Sequence, residues 1–476
     1  MSQYIGIDLG TQSVKVVVFD ADAGHIVARG QAELPAPRAP RHGAAEQDPA
    51  DWWAAFERAM DLALAHPAVD RSALLGMGVS GQQHGFVPLG EDGAVLRPAK
   101  LWCDVEAVEE ARSVSTLVGR PVPPGFTAPK VLWFQQHEPE LAARLRHVVL
   151  PHDWLNFQLG GVLATDHGDA SGTGLYHPIE GRYELEAAAA VHPDLPGQLL
   201  RLLDPDATHS HLLPKWCARF DLGEMPLSVG SGDNMMSALG AGATVEGTWI
   251  LSLGTSGTIF GHSAAAVLDP SGVVAPFRDA LGGGLPLVCT QNCSTVVDEA
   301  RAFTGGTHED LSAAAAGVPA GCDGLLFLPY LTGERSPDWP HACGVLHGLR
   351  PGGLRPERIY RAAIEGASLA LAQGLSRLRD LDLPVDRLRL VGGGARNPLW
   401  ARILCDLVQQ PLEVAVEPES AALGAALQAC WMESGRHPRS WTPAADPVAF
   451  EPDASLAAVY ADLLERYTAL GQQLFG

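Results

Sequence analysis

The stretch "YIGIDLGTQSVKVVVFD", residues 4–20, decides the fold. An apolar run from Tyr4 to Ile7 meets a Leu-Gly-Thr turn, and a second run from Val14 to Phe19 is rich in β-branched residues. That pattern predicts a β-hairpin. The "DADAG" at 20–24 is turn chemistry, so a third strand follows in "HIVARGQAEL". Far along the chain the pattern recurs as "WILSLGTSGTIFGHS", residues 249–263, with Ser252 where the first copy has Asp8. Three shared letters would be coincidence on their own. A hairpin around each copy makes them a repeat and predicts two related halves. The boundary falls in the glycine-rich connection Gly242 to Gly247, giving domains 1–242 and 243–476.

The remaining patterns extend both halves. A helix is expected from about Asp51 to Ala65, with Asp48 as cap, Pro49 at its first position and an apolar stripe of Trp53, Phe56, Met60 and Leu64. "LLGMGVSG" (74–81) reads as a short buried strand. In the second half a helix over Arg358–Arg379 leads to the strand "RLRLV" (387–391) and the turn "GGGARN". A helix over Pro398–Val408, the strand "LEVAV" (412–416) and a small-residue helix over 419–433 follow. Alternating strands and helices predict an α/β layer with a parallel sheet.

Composition bounds the function. A length of 476 residues predicts two or three domains, and 46% hydrophobic with 18% charged residues is ordinary for a globular protein. The formal net charge of -22 argues against nucleic acid or an anionic membrane as partner. ATP is not excluded, because phosphate sites use local amides and Mg²⁺ rather than net charge. Eight scattered cysteines without C-x-x-C clusters argue against zinc or a disulfide framework and fit a reducing compartment. The chain starts directly into a strand, and no apolar run approaches a membrane span. A cytoplasmic protein is expected; a homodimer is left open.

"VGSGDNMMSALGAG", residues 229–242, places Asp233 between glycines and small residues at a helix start. The bland reading is a cap on the N–H of Met235 or Met236. In "IDLGTQSVK" (7–15) a Gly-Thr turn offers amides and a hydroxyl to phosphate oxygens. Asp8 at the strand end is placed to hold Mg²⁺ through water, and Lys15 to reach phosphates as a point charge. A plain hairpin competes with that reading. "SLGTSGT" (252–258) supplies a second such turn, and "VGGGARNPLW" (391–400) three glycines that let a flat ring approach the backbone. One such turn is weak; three in this order are strong. "GMGVSG" (76–81) matches a dinucleotide pattern in letters only, since no convincing helix follows. No Gly-Lys dipeptide occurs, which excludes a Walker A loop, and "HSH" (209–211) reads as a solvated loop.

Taken together, "IGIDLGT", "GQQHG", "PGFTAPKVLW", "SGDNMMSALG", "LSLGTSGT", "FLPYLTGERSP" and "VGGGARNPLW" stand in the order seen in the FGGY carbohydrate kinases. The resemblance runs from Tyr4 to about Gly435. It implies an α/β fold of two actin-like (ribonuclease-H-like) ATPase domains, with ATP in a cleft between them and the sugar in the first. Position by position, Asp233 matches the catalytic base, and Asp8 shares catalysis and Mg²⁺ with it. Gly10, Thr11 and Lys15 fall on the first phosphate loop, Gly254, Thr255 and Ser256 on the second, and Gly393, Gly394 and Asn397 on the adenosine segment. Gln83 and His84, with Trp102, Asp104 and Asn234, fall on the sugar side. The implied reaction is phosphorylation of the terminal hydroxyl of a pentulose, D-xylulose to D-xylulose 5-phosphate.

Some residues depart from the family. Gln83 stands where the family has Met, Cys103, Val105 and Glu106 break the usual pattern after Trp102, and "VCTQNCSTVVDEAR" (288–301) departs from the family's usual serine- and tryptophan-bearing segment. These bear on the sugar, not on phosphoryl transfer. Another ketose or polyol (ribulose, L-xylulose, glycerol, erythritol) is the first alternative. A nucleotide-gated actin-like protein that is no kinase is the second, disfavoured because it has no use for Asp233, Gln83 and His84 together.

Overall fold

The computed structural model describes residues 2–415, 417–441 and 448–476. Both copies of the opening pattern are hairpins. In the first half β1 (Gln3–Leu9) runs antiparallel to β2 (Ser13–Asp20), which pairs β3 (His25–Glu33). Then β4 (Leu74–Gly81) lies parallel to β1 on its other side. Three short strands, β5 (Thr208–His211), β6 (Pro226–Ser228) and β7 (Ser231–Gly232), complete a sheet ordered β5-β6-β4-β1-β2-β3, with β7 beside β4.

The second half repeats the plan. Its strands are β8 (Gly247–Leu253), β9 (Gly257–Gly261), β10 (Ala275–Arg278), β11 (Gly284–Thr290), β12 (Val385–Val391), β13 (Leu412–Val414) and β14 (Val448–Phe450). They are ordered β10-β11-β9-β8-β12-β13-β14. Here β8 is antiparallel to β9 and parallel to β12, as β1 is to β2 and β4. Register fixes the equivalence: Asp8 faces Lys15 and Ser80, while Ser252 faces Thr258 and Val391.

The first helix, α1 (Pro49–Leu64), starts as expected, with the Asp48 side chain accepting from the Ala50 N–H. Its core face differs. Trp52 is fully buried with Ala55, Phe56, Ala59, Met60 and Ala63, while Trp53 lies at the edge against Phe56 and Trp216. Alanines left out of the expected stripe turn the buried face by one residue. "HSH" is likewise strand, not loop, and His209 is buried. The further helices that matter are α2 (Thr127–His137), α3 (Pro151–Gly160), α4 (Asp233–Gly240), α5 (Ser294–Thr304), α6 (Pro356–Asp380), α7 (Pro398–Val408) and α8 (Ser420–Ser434). The strand expected over 412–416 is seen to Val414, and Val416 lies outside the described residues. Among the described residues no helix is long and apolar enough to cross a membrane.

One packing feature builds the site. Helix α8 comes from the second half yet lies on the first-half sheet. A Cβ on Gly6 or Gly78 would stand 1.9 Å from Ala422 O or 2.1 Å from Ala425 O. Between helices α4 and α8 the same holds: a Cβ on Gly240 would meet Ser420 O at 1.9 Å, and one on Gly424 would meet Met236 O at 2.0 Å. The small residues of "SALG" and "ESAALGAAL" are therefore a packing requirement, since backbone meets backbone there. Tyr4, Val17, Met235 and Met236 join Ile250, Phe260, Leu287 and Ala422 in one apolar seam between the halves.

Candidate active site

A cleft of about 250 Å³ opens above that seam, at the carboxyl ends of β1 and β8. The first half lines it with Asp8, Lys15, Asp233 and Asn234, and the second with Ser252, Val391 and Gly392. The start of α8, from Glu419 to Ala421, forms another wall.

Asp233 is the first residue of α4, and Gly232 before it is the N-cap. The Asp233 Oδ1 accepts from the Asn234 N–H at 2.8 Å, not from Met235 or Met236, so the capping role does not hold. Burial, then Asp8 and Asp169, push its carboxyl up to about 8. A helix N-terminus favours the ionised form, but here burial and two neighbouring carboxylates outweigh its amides. Asp8 is pushed up to about 6 by burial, against the pull of Lys15 and of the Ser80 hydroxyl, which donates at 3.0 Å. Two mutually repelling carboxylates in one cleft suit a hard divalent cation with oxygen ligands.

On the side that the resemblance assigns to the sugar, Asn234 Nδ2 donates to Gln83 Oε1 at 2.7 Å and to Asp233 Oδ1 at 3.2 Å. Gln83 is buried, and its Nε2 has no partner among the described residues. His84 has a left-handed backbone, φ 62°. Its Nδ1 donates to Gly172 O at 2.9 Å, and its own carbonyl accepts from Lys130 Nζ at 2.8 Å. Burial, with Lys130 close by, takes the imidazole down to about 3, so the ring is neutral. The Nδ1 proton leaves Nε2 as an acceptor.

Several expected ligands are occupied elsewhere. The Thr11 hydroxyl accepts from Trp102 Nε1 and donates to Gln82 Oε1, both at 3.0 Å, so it braces Trp102 and is not free for phosphate. Asp104 is fully buried, and its Oδ2 accepts from Ala45 N–H at 2.9 Å and Lys100 Nζ at 3.1 Å, which removes it from the sugar. Its neighbours Glu46 and Glu106 are close enough to share a metal with it, but Lys100, Arg41 and Arg97 already balance the group. Asn397 caps α7, accepting from Leu399 and Trp400, and its Nδ2 donates to Ser312 and Tyr360. Its amide is thus filled by the protein itself. Gly393 and Gly394 follow the cleft-lining Gly392, whose φ is 90°.

Gly10 and the loop Gly254, Thr255 and Ser256 sit outside the residues lining the cleft. The Gly10 N–H is taken by Ser13 O, and carbonyls 254 and 255 accept from Ser294 and Cys293 at the start of α5. Lys15 does line the cleft, with its Nζ 2.7 Å from Glu419 Oε2. Ser252 and Glu419 are additions to the expected set. Ser252 was legible as the counterpart of Asp8 in the repeat; Glu419 carried no local signal.

Behind Asp233 lies a buried cluster that no motif announces. His152 on α3 is 2.6 Å from Asp169 Oδ2 and 2.9 Å from Asp153 Oδ1. Asp166 accepts from the Ser231 hydroxyl at 2.6 Å, two residues before Asp233. Burial alone would discharge His152, but Asp153 and Asp169 hold the imidazole well above its ordinary range.

Residues 3–240 match the N-terminal domain, and residues 250–433 the C-terminal domain, of the FGGY family of carbohydrate kinases. The chain is 38% identical over 500 aligned residues to the xylulose kinase of Streptomyces rubiginosus, with 98% of each covered. It is 34% identical over 487 residues to the xylulose kinase of Escherichia coli, with 99% of each covered. The crystal structure of a xyloylose kinase from Brucella ovis superposes with a TM-score of 0.93 at 31% identity over 99% of both chains.

Proposed function

The chain belongs to the FGGY family of carbohydrate kinases, with its two-domain actin-like α/β fold, and from that premise we propose that it phosphorylates D-xylulose with MgATP. The observation that carries this is the place of Asp233. It touches Asn234, which bonds the buried amide of Gln83, and it shares a cleft with Asp8 and Lys15. One carboxylate thus stands between a sugar side and a nucleotide side. Relatives over nearly the whole chain are xylulose kinases, which supports D-xylulose as the sugar.

A sugar hydroxyl is a poor nucleophile, and the protein's tasks are to position it, accept its proton and offset phosphate charge. Asp233 accepts the proton of the terminal hydroxyl. Gln83, through its unpartnered Nε2–H, and His84, through Nε2, orient the sugar. Trp102, held by Thr11, walls that side. Lys15 offers its charge to the phosphates after releasing Glu419. Asp8 and Asp233 are the residues that would hold Mg²⁺, which when bound neutralises phosphate charge. Gly392, with Gly393 and Gly394 after it, offers the nucleotide a close approach to backbone. We divide the chain at 242/243 and place the enzyme in the cytoplasm.

The test is ADP release measured over a panel of ketoses and polyols. D-xylulose should give the highest kcat/KM; a higher value for ribulose, glycerol or erythritol overturns the substrate, and no sugar-dependent release overturns the reaction.

A further inference from the structure

Strand β10 belongs to the second half but is fastened to the sugar side of the first. Phe277 on β10 is only 3% exposed. Its ring centroid lies 5.4 Å from that of His84 and 5.9 Å from that of Phe126. His84 and Phe126 stack at 4.4 Å with 17° between planes. The imidazole is therefore packed by Phe126 from its own half and by Phe277 from the other.

A second fastening lies beside the first. The backbone N–H of Arg278 donates to Ser171 Oγ at 3.0 Å, and its guanidinium to Pro178 O at 3.4 Å. Gly172, next to Ser171, accepts from His84 Nδ1. A Cβ at residue 172 would stand 2.3 Å from that nitrogen, so the turn can be approached this closely only at a glycine. The turn 171–173 is gripped by His84 from one half and by Arg278 from the other.

We propose that Phe277 is a positioning residue for sugar binding, supplied by the opposite half, so that the sugar subsite is complete only when the halves are together. This rests on the reading of His84 as a sugar-facing residue. Separating the halves would take Phe277 off the imidazole and Arg278 off Ser171, exposing His84 to water and loosening the turn that holds its Nδ1. Because sugar needs His84 held, sugar binding and closure favour one another. An aromatic contact of this kind biases the equilibrium by up to about tenfold.

The test compares wild type with Phe277→Ala, Phe277→Leu and Phe277→Tyr, measuring kcat, KM for D-xylulose, KM for ATP and melting temperature. Ala and Leu should raise the sugar KM by about tenfold while the ATP KM stays within about twofold. Tyr keeps the ring and should restore the wild-type sugar KM. Scattering with D-xylulose and a non-hydrolysable ATP analogue should show compaction in wild type and less of it in Phe277→Ala. A wild-type sugar KM in both Ala and Leu, or rescue by Leu as complete as by Tyr, overturns the proposal and leaves Phe277 a packing residue. If wild type releases no ADP with any sugar, the kinase reading fails, and this inference falls with it.

Discussion

The Asn234 Nδ2–H bonds Gln83 Oε1 at 2.7 Å, joining two residues 151 positions apart. The bond turns the Gln83 amide so that its Nε2–H is buried with no acceptor among the described residues. An unmet buried donor costs about 1–3 kcal/mol, so a substrate oxygen placed there gains about that much. Gln83→Ala is expected to raise the KM for sugar about tenfold or more and leave the KM for ATP unchanged. Melting temperature measured alongside separates a lost contact from lost packing: an unchanged sugar KM with a lowered Tm would make Gln83 a core residue.

The ion pair between Lys15 and Glu419 spans the same cleft, and both side chains are partly exposed. Glu419 thus competes with phosphate for the ammonium and adds a negative charge to the nucleotide's path. Glu419→Gln should therefore lower the KM for MgATP severalfold, and Lys15→Met should raise it about tenfold, the loss of one charged contact. A titration of nucleotide binding on both variants checks this. Equal affinities in the two variants and wild type would mean the pair serves only to hold α8.

Local patterns gave what was legible. The paired hairpins and the bounds of α7 follow from residues adjacent in sequence. The family resemblance, not local pattern, assigns Asp8, Lys15, Asp233 and Asn234 to one site, and all four line the same cleft. What could not be read is which polar groups are already taken. Thr11 is bonded by Trp102 from 91 positions away, and Asp104 serves Ala45 from 59 positions away. Helix α8 docks on the opposite half through glycine contacts that alanine and glycine content permits but does not specify. Glu419 enters the cleft only because of that docking.

The His152 cluster carries a stability prediction. Replacing His152 by Ala leaves Asp153 and Asp169 buried without their cation, a loss of about 3–5 kcal/mol for a broken buried pair. Denaturant unfolding should show it. Because the folded value of His152 is raised, its contribution is full below its unfolded value of about 6.5 and fades as pH rises through the folded value. The gap between wild type and variant should accordingly narrow on the alkaline side; a gap that widens there would mean the ring is neutral.

Asp233 unites the reaction and its cost in stability. Asp233→Asn keeps the shape of the side chain and an oxygen for the Asn234 N–H, but it cannot accept a proton. Turnover should fall by about 10²–10⁴, the range for loss of a general base. Stability should move the other way. The carboxyl is pushed up to about 8 in the folded protein, so from its unfolded value near 4 up to about 8 the folded state holds a proton that the unfolded state has released. Stability of the ligand-free, chelator-treated wild type therefore falls as pH rises through that window. Asn removes this loss, and the variant should melt at or above the wild-type temperature at pH 7 to 8, with the difference growing as pH rises. Burial next to Asp8 and Asp169 is what makes the carboxylate costly, and a divalent cation held by Asp8 and Asp233 would favour the ionised form that a base needs. A variant with near-normal turnover would remove Asp233 from catalysis, and one that melts well below wild type would show that its carboxylate supports the fold.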